Sequence, residues 1–370
     1  VRVTPAEGET QVSRSVEAGV FEPVETELAI DADDIVLATG SRPLALPGNP
    51  FAGALIDSTQ ALELNTLPSS AVIIGAGAVA LEFASLWNAA GCEVTLLIRK
   101  DRVLSTWERR ASMTLTRELK RRGVNVIART AVDRVDTGAN LGATVHYRQG
   151  DSDEDRTAYG EVVLAAIGRV PNTDADWFRS SGLKLDERGY VTVDGYGRTN
   201  LDGVWALGDI TPGHALAHRA FEQGITIAEK IAGADPKPVI DDTVPQVVFS
   251  FPEAASVGLT LDQAKAREDV VEPKETAYPM LSNARMLMSG EGGSMTVVSG
   301  AFANNPDMQV VLGVHIVSPI ASDLIAEAEQ LVGNRVPLAD AARLIHPHPT
   351  FSETLGEALL KADGRPLHTR

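Results

Sequence analysis

Of 370 residues only one, Cys92, is a cysteine. That excludes an internal disulfide and a zinc site built from cysteines, and it fits a reducing compartment. Net positive charge is missing as well, the formal charge at pH 7 being -17. Nucleic acid and anionic membranes both select a basic face that displaces counterions from phosphates, so neither is an expected partner. Long apolar runs are absent too. The longest, Ala71 to Leu81, ends at Glu82, short of the roughly 18 residues a membrane helix needs. No leader-like order of charged, apolar and small residues stands at the start, and a cytoplasmic protein is expected. At about 100–200 residues per domain, two or three domains are expected.

The first thirty residues are polar, with short alternating stretches such as Val20 to Leu28 that read as edge hairpin material. An apolar strand, Ile35 to Ala38, stops at Thr39-Gly40-Ser41-Arg42-Pro43, and the stretch to Pro68 reads as a connector. From Ala71 the order is strand (to Ile74), glycine turn, helix (Val79 to Ala90), Gly91, strand (Glu93 to Ile98), which is a βαβ unit and requires a parallel sheet. A second helix ends in Lys120-Arg121-Arg122, cations at the negative end of the dipole, and Val124 to Ala128 is the next strand. The alternation continues until polar, turn-rich sequence from Asp151 to Arg156, after which Val162 to Ile167 reads as a buried strand. Beyond a strand at Val204 to Leu207 and a helix from about His214 to Ala232, the segment Pro236 to Thr243 reads as a linker into an antiparallel-looking region.

Gly75-Ala76-Gly77-Ala78-Val79-Ala80 follows a strand and opens a helix. Gly75 permits the tight turn, Gly77 lets the backbone approach a pyrophosphate, and Ala80 lets helix and strand pack closely, which sets the anion on the helix amino terminus. A dinucleotide is the expected ligand. The second strand of such a unit ends in an acid when the ribose hydroxyl is to be bound, but here it ends Leu97-Ile98-Arg99-Lys100. A guanidinium beside an ammonium suits a 2′-phosphate, so NADP(H) is preferred over NAD(H). The competing reading makes Arg99 and Lys100 surface charges and gives the ribose to Asp101.

Three further segments, Ala38 to Pro43, Gly168-Arg169-Val170-Pro171-Asn172 and Val204-Trp205-Ala206-Leu207-Gly208-Asp209, flank this unit. Their order and spacing resemble the pyridine-nucleotide flavoprotein disulfide reductases, a resemblance that covers essentially the whole chain. It implies an α/β fold with two Rossmann-like dinucleotide-binding domains, the FAD domain incomplete here, plus an α+β interface domain. The implied division is 1–46 as a remnant of the FAD domain, 47–168 as the NAD(P) domain, 169–241 as the second part of the FAD domain and 242–370 as the interface domain. Thr39, Gly40, Gly168 and Arg169 become cofactor residues at the crossings. Asp209, after Gly208, becomes the acceptor for a flavin ribityl hydroxyl. Leu216-Ala217-His218 resembles the helix start beneath the flavin, and Glu82 the acid beside the flavin and nicotinamide rings, its apolar neighbours Leu81 and Phe83 weighing against a merely solvated residue.

His346-Pro347-His348-Pro349-Thr350-Phe351-Ser352-Glu353 resembles the signature of the dihydrolipoamide dehydrogenase branch, as does Ser282-Asn283-Ala284-Arg285. By this resemblance His348 exchanges protons with the thiols, for which imidazole is suited, and Glu353 fixes its tautomer. Thr350 and Glu353 also have the spacing of a capping box, which gives Glu353 an architectural role compatible with the first. His346 reads as packed or hydrogen-bonded, and no metal site is expected. Pro245 to Phe249 and Pro252 to Gly258 resemble the first strands of the interface domain, which implies a homodimer in which His348 serves the partner's disulfide.

Family members begin with a glycine motif for FAD followed by two cysteines separated by four residues. Neither is in this sequence, so on the order of a hundred residues are expected ahead of Val1, and the chain as written is expected to be inactive. Cys92, at a strand start, reads as a buried apolar residue. The intact enzyme is expected to pass hydride between nicotinamide and FAD and then exchange with a small dithiol or disulfide, dihydrolipoamide first. The alternatives are an NADPH-dependent reductase of another small disulfide, a quinone or a metal ion, and a non-catalytic NADP-binding dimerisation module.

Overall fold

A computed structural model describes residues 2–3, 13–17, 20–23, 28–138 and 142–369, with side chains from residue 30 onward. It divides into two compact units, Val1–Gly40 with Pro171–Val239, and Ser41–Val170 with Ile240–Arg370.

In the second unit, five parallel strands lie in the order Asn125–Ala128, Glu93–Ile98, Ser70–Ile74, Val162–Ala165, Leu55–Ile56. Strand Ser70–Ile74 is buried on both faces because its neighbours cover both, as a parallel sheet requires. Ala71 and Ile73 face the helices Ala78–Ala89 and Arg109–Arg121, packing with Leu81, Trp87, Leu115 and Leu119. Val72 and Ile74 face the other way, against Ala143, Val145 and Tyr147. Those three belong to an antiparallel meander, Thr130–Asp136, Ala143–Gln149 and Arg156–Gly160. The expected continuation of strand–helix alternation beyond Ala128 is therefore corrected: a sheet, not a helix, covers this face. The connector before Pro68 is corrected as well. Leu55 and Ile56 form the edge strand of the parallel sheet, and Asp57 then caps the short helix Ser58–Leu62 in a reciprocal box with Gln60.

The same unit holds a five-stranded antiparallel sheet ordered Gln246–Val248, Glu253–Gly258, Asn305–Ser318, Ser294–Phe302, Val270–Pro279. Helices Ala321–Gly333 and Glu353–Ala362 close one face through Leu324, Ile325, Leu331, Leu355 and Leu359, all buried.

In the first unit, Ile35–Leu37 runs parallel to Val204–Ala206. Ala206, Ile210, Phe178, Leu183 and Val191 form a small core, and the helix Ala217–Ile231 follows. Strands Ser13–Glu17 and Val20–Pro23 form an antiparallel hairpin, while residues 24–27 of the expected alternating stretch lie outside the described residues. Among the described residues, no helix is long and apolar enough to cross a membrane, and no cluster of three or more His, Cys, Asp or Glu is arranged to hold a metal ion.

Candidate active site

The turn Gly75-Ala76-Gly77 lies at the carboxyl end of the central parallel strand, where the strand order reverses, the position at which open α/β sheets hold their ligands. Gly75 has φ +144°, and a Cβ there would stand 2.2 Å from the Ala166 carbonyl oxygen and 3.3 Å from the Ala80 Cβ. Only glycine fits, and Ala80, fully buried, is the close-packing residue expected. Gly77 differs: a Cβ on it would meet nothing within 4 Å. It is the N-cap of Ala78–Ala89 and supplies no side-chain cap, so the first-turn N–H groups face an open seat that suits a pyrophosphate. Arg99 and Lys100 are exposed just past the neighbouring strand, Glu93–Ile98. Asp101, the rival for the ribose, accepts from Arg102 Nη1 at 3.0 Å.

In the first unit, the carboxyl ends of the two parallel strands bring Thr39-Gly40 and Gly208-Asp209 together, the Leu207 N–H donating to the Leu37 carbonyl at 3.1 Å. Gly208 takes φ +70°, its N–H donates to Gln223 Oε1 at 2.9 Å, and half-buried Asp209 follows on the same turn. Gln223 belongs to the helix Ala217–Ile231, whose N-cap Leu216 supplies no side-chain bond, so Leu216, Ala217 and His218 open a second uncapped helix start. A carboxylate on a turn beneath a helix start suits hydroxyl and phosphate groups of one dinucleotide. Thr39 is tied to the returning chain: its Oγ1 donates to the Asn172 carbonyl and Asn172 Nδ2 donates to the Thr39 carbonyl, each at 2.9 Å. Gly168 and Arg169 stand at the crossing in the second unit. Arg169 donates from Nε to Ser41 Oγ and from Nη2 to the Ser41 carbonyl, each at 2.7 Å, a clamp on the chain.

Glu82 is half-buried on Ala78–Ala89, and its Oε1 accepts from the Phe249 N–H at 3.0 Å. Three residues on, Ser85 Oγ accepts from the Phe251 N–H at 2.8 Å. Glu82 thus fastens the parallel-sheet domain to the loop after the first antiparallel strand, a bond between residues too far apart in sequence to be anticipated.

His348 and Glu353 meet as expected. His348 Nδ1–H donates to Glu353 Oε1 at 2.7 Å, which leaves Nε2 on an exposed ring for proton transfer. Glu353 Oε2 accepts from the Thr350 N–H at 2.8 Å. Burial pushes the Glu353 carboxyl up, but the Thr350 N–H and His348 together hold it below its ordinary value. Only half of the expected capping box forms. The helix begins at Glu353 with Ser352 as N-cap, and the Thr350 hydroxyl donates to the Pro347 carbonyl at 2.6 Å instead. The second signature, Ser282 to Arg285, proves to serve the first. Asn283 Oδ1 accepts from the Met286 N–H at 3.1 Å while its Nδ2 donates to the Thr350 carbonyl at 3.0 Å, and Arg285 lies over the Phe351 ring. Asn283→Ala is expected to cost about 1–3 kcal/mol, because the buried Met286 N–H and the partly buried Thr350 carbonyl lose their partner, and to lower turnover with it in protein carrying the reacting disulfide; chemical denaturation and steady-state rates measure both.

The single cysteine, Cys92, is buried, and burial, with Glu161 and Glu93 adding to it, pushes its thiol up to about 11. It is no nucleophile.

A parallel sheet with a glycine turn at its switch point, carried in one unit with a carboxylate-anchored imidazole, is the arrangement of a nucleotide-dependent oxidoreductase. Residues 1–224 match the family described as pyridine nucleotide-disulphide oxidoreductase, and residues 244–359 match the dimerisation domain of that description. The chain is 36% identical over 342 residues to a dihydrolipoyl dehydrogenase of Cupriavidus necator, covering 92% of this chain and 70% of that one. It is 37% identical over 339 residues to a dihydrolipoyl dehydrogenase of Geobacillus stearothermophilus, covering 90% and 69%. The crystal structure of LpdA from Mycobacterium tuberculosis aligns with a TM-score of 0.79 at 28% identity, over 95% of this chain and 72% of that one. The chain belongs to the pyridine nucleotide-disulphide oxidoreductase family, and is an FAD-dependent disulfide oxidoreductase by family.

Proposed function

We propose that this chain carries the nucleotide-binding and proton-transfer residues of a dihydrolipoamide dehydrogenase-like reaction, working as a cytoplasmic homodimer with NADP(H) preferred over NAD(H). The observation that carries the reading is the 2.7 Å bond from His348 to Glu353, on a segment held by Asn283. FAD, when bound, supplies a two-electron carrier between nicotinamide and thiol. The Gly75–Gly77 turn seats the pyrophosphate of the nicotinamide nucleotide, and Arg99 with Lys100 binds its 2′-phosphate. Asp209, Thr39, Gly40, Gly208 and the helix start at Leu216-Ala217-His218 hold FAD, and Gly168 and Arg169, the latter clamped on Ser41, are cofactor residues where the chain returns. On this reading residues 47–168 form the NAD(P) domain, 1–46 and 169–241 parts of the FAD domain, and 242–370 the interface domain.

His348 Nε2 takes the proton from an attacking dithiol and returns it in the reverse direction. Glu353 keeps the proton on Nδ1 and stabilises the imidazolium that forms, as the acid of a catalytic triad does. Glu82 is the acid beside the flavin and nicotinamide rings, held there by the Phe249 N–H. The reacting disulfide is not encoded in these 370 residues, whose one thiol is buried.

Cofactor choice rests on the two cations after Ile98. Replacing both by alanine is expected to lower kcat/KM for NADPH by about 10- to 100-fold, the worth of one or two charge-assisted bonds, and to leave NADH within about twofold. Equal losses for the two nucleotides, or a parent enzyme that favours NADH, would sink the NADP assignment and leave the rest of the reading standing.

A further inference from the structure

Two residues before His348, a second histidine is tied to a second glutamate. His346 Nε2–H donates to Glu327 Oε1 at 2.9 Å, with the His346 side chain only 9% exposed and that of Glu327 36%. Glu327 lies on the helix Ala321–Gly333. The imidazole also abuts the helix Glu353–Ala362, where a Cβ on Gly356 would stand 2.5 Å from His346 Nδ1 and 2.9 Å from Cε1. The ring therefore fills the joint between the two helices, and the segment that presents His348 leaves directly from it.

We propose that the His346–Glu327 pair is a positioning device for His348: the charged pair keeps the segment 347–350 docked on both helices, and neutralising it loosens that segment. This rests on the reading of His348 as the proton-transfer residue. On that reading His346 and Glu327 act through His348 and not on the substrate. Their effect is transmitted by one proline, Pro347, whose carbonyl accepts from Thr350 Oγ1, and Thr350 in turn donates its N–H to Glu353. A two-residue linkage of this kind transmits displacement, since proline fixes its own φ.

The charged groups facing His346 are Glu327 and Glu353, with the Leu344 carbonyl beside them. The Glu327 bond outweighs burial and holds the imidazole above its ordinary value. A raised histidine contributes stability that is complete below the ordinary imidazole value and lost as pH rises through the folded value. Glu353 has the opposite sign: its lowered carboxyl contributes above the ordinary carboxylate value, and that contribution is lost as pH falls through the folded value. Both pairs are intact between those limits, which is the window in which His348 is held for work.

The test is Glu327→Gln in FAD-loaded protein that also carries the reacting disulfide, a change that keeps an acceptor for His346 and removes the charge. Turnover of dihydrolipoamide is compared with the parent at about pH 6 and about pH 9, the first below the ordinary imidazole value and the second well above it. The parent is expected to lead by about tenfold at the acid end, a fraction of what general acid–base catalysis supplies, and by no more than about twofold at the alkaline end. The nucleotide KM stays unchanged, Glu327→Asp recovers most of the loss, and the downfield proton resonance of His348 Nδ1–H broadens in Glu327→Gln at the acid end. A parent-to-variant ratio that is flat with pH, or is close to one throughout, overturns the proposal and leaves His346 as packing. His348→Ala is assayed alongside. If it keeps full dithiol turnover, the reading of the site falls and the inference with it; if it loses turnover while Glu327→Gln does not, only the inference falls.

Discussion

Gly77→Val is expected to abolish nucleotide binding in a chain that still folds. Gly77 is extended, at φ -90° and ψ -178°, and a Cβ there would touch nothing within 4 Å, so an L side chain enters without strain. The empty space it would fill is the space a pyrophosphate needs to reach the N–H groups at the start of Ala78–Ala89. Affinity for NADPH is expected to fall by about 100-fold or more, roughly 2.7 kcal/mol, with the melting temperature little changed. Gly75→Ala makes the contrast. Its Cβ would sit 2.2 Å from the Ala166 carbonyl oxygen at a φ of +144°, so folding and binding are expected to fail together. Calorimetric titration and thermal melts on the two variants distinguish a seat from a structural turn. Normal NADPH binding by Gly77→Val moves the nucleotide elsewhere.

In FAD-loaded protein that carries the reacting disulfide, His348→Ala is expected to lower dithiol turnover by about 10²- to 10⁴-fold, the usual worth of a positioned acid–base group. Glu353→Gln is expected to be milder, about tenfold, because a neutral amide still accepts from Nδ1–H but no longer stabilises the charged ring. That order depends on Glu353 acting through His348. Its own carboxyl is held below its ordinary value chiefly by the Thr350 N–H against the opposing effect of burial, so the anion is present throughout the neutral range. Saturating-substrate rates for the two variants give the order directly, and a larger loss in Glu353→Gln than in His348→Ala reverses the assignment.

The parts that were legible in the sequence are those whose meaning is local. Gly75, Gly77 and Ala80 lie within six residues of one strand–turn–helix passage, and His348 and Glu353 are separated by a single turn of chain. What stayed hidden are contacts whose partners are far apart in sequence. The Phe249 N–H finds Glu82 across 167 positions, and Asn283 finds Thr350 across 67. The Ser282 to Arg285 signature could be recognised as a motif, but its work, capping one helix and holding the His348 segment, is written only in three dimensions. Leu55–Ile56 is too short to show any period, and its place at the sheet edge is decided by pairing with Val162–Ala165. The meander did leave a signal: Ala143, Val145 and Tyr147 alternate as a half-buried strand does. The polar hairpin tip from Asp151 to Arg156 concealed it as loop.

On the proposed reading one constellation moves hydride and another, at His348, moves protons to and from a dithiol. Rapid mixing of His348→Ala, FAD-loaded and carrying the reacting disulfide, with each reductant in turn separates the two. Flavin reduction by NADPH is predicted to stay within about twofold of the parent while flavin reduction by dihydrolipoamide slows by about 10²-fold or more. Equal slowing of both half-reactions, or of neither, contradicts it.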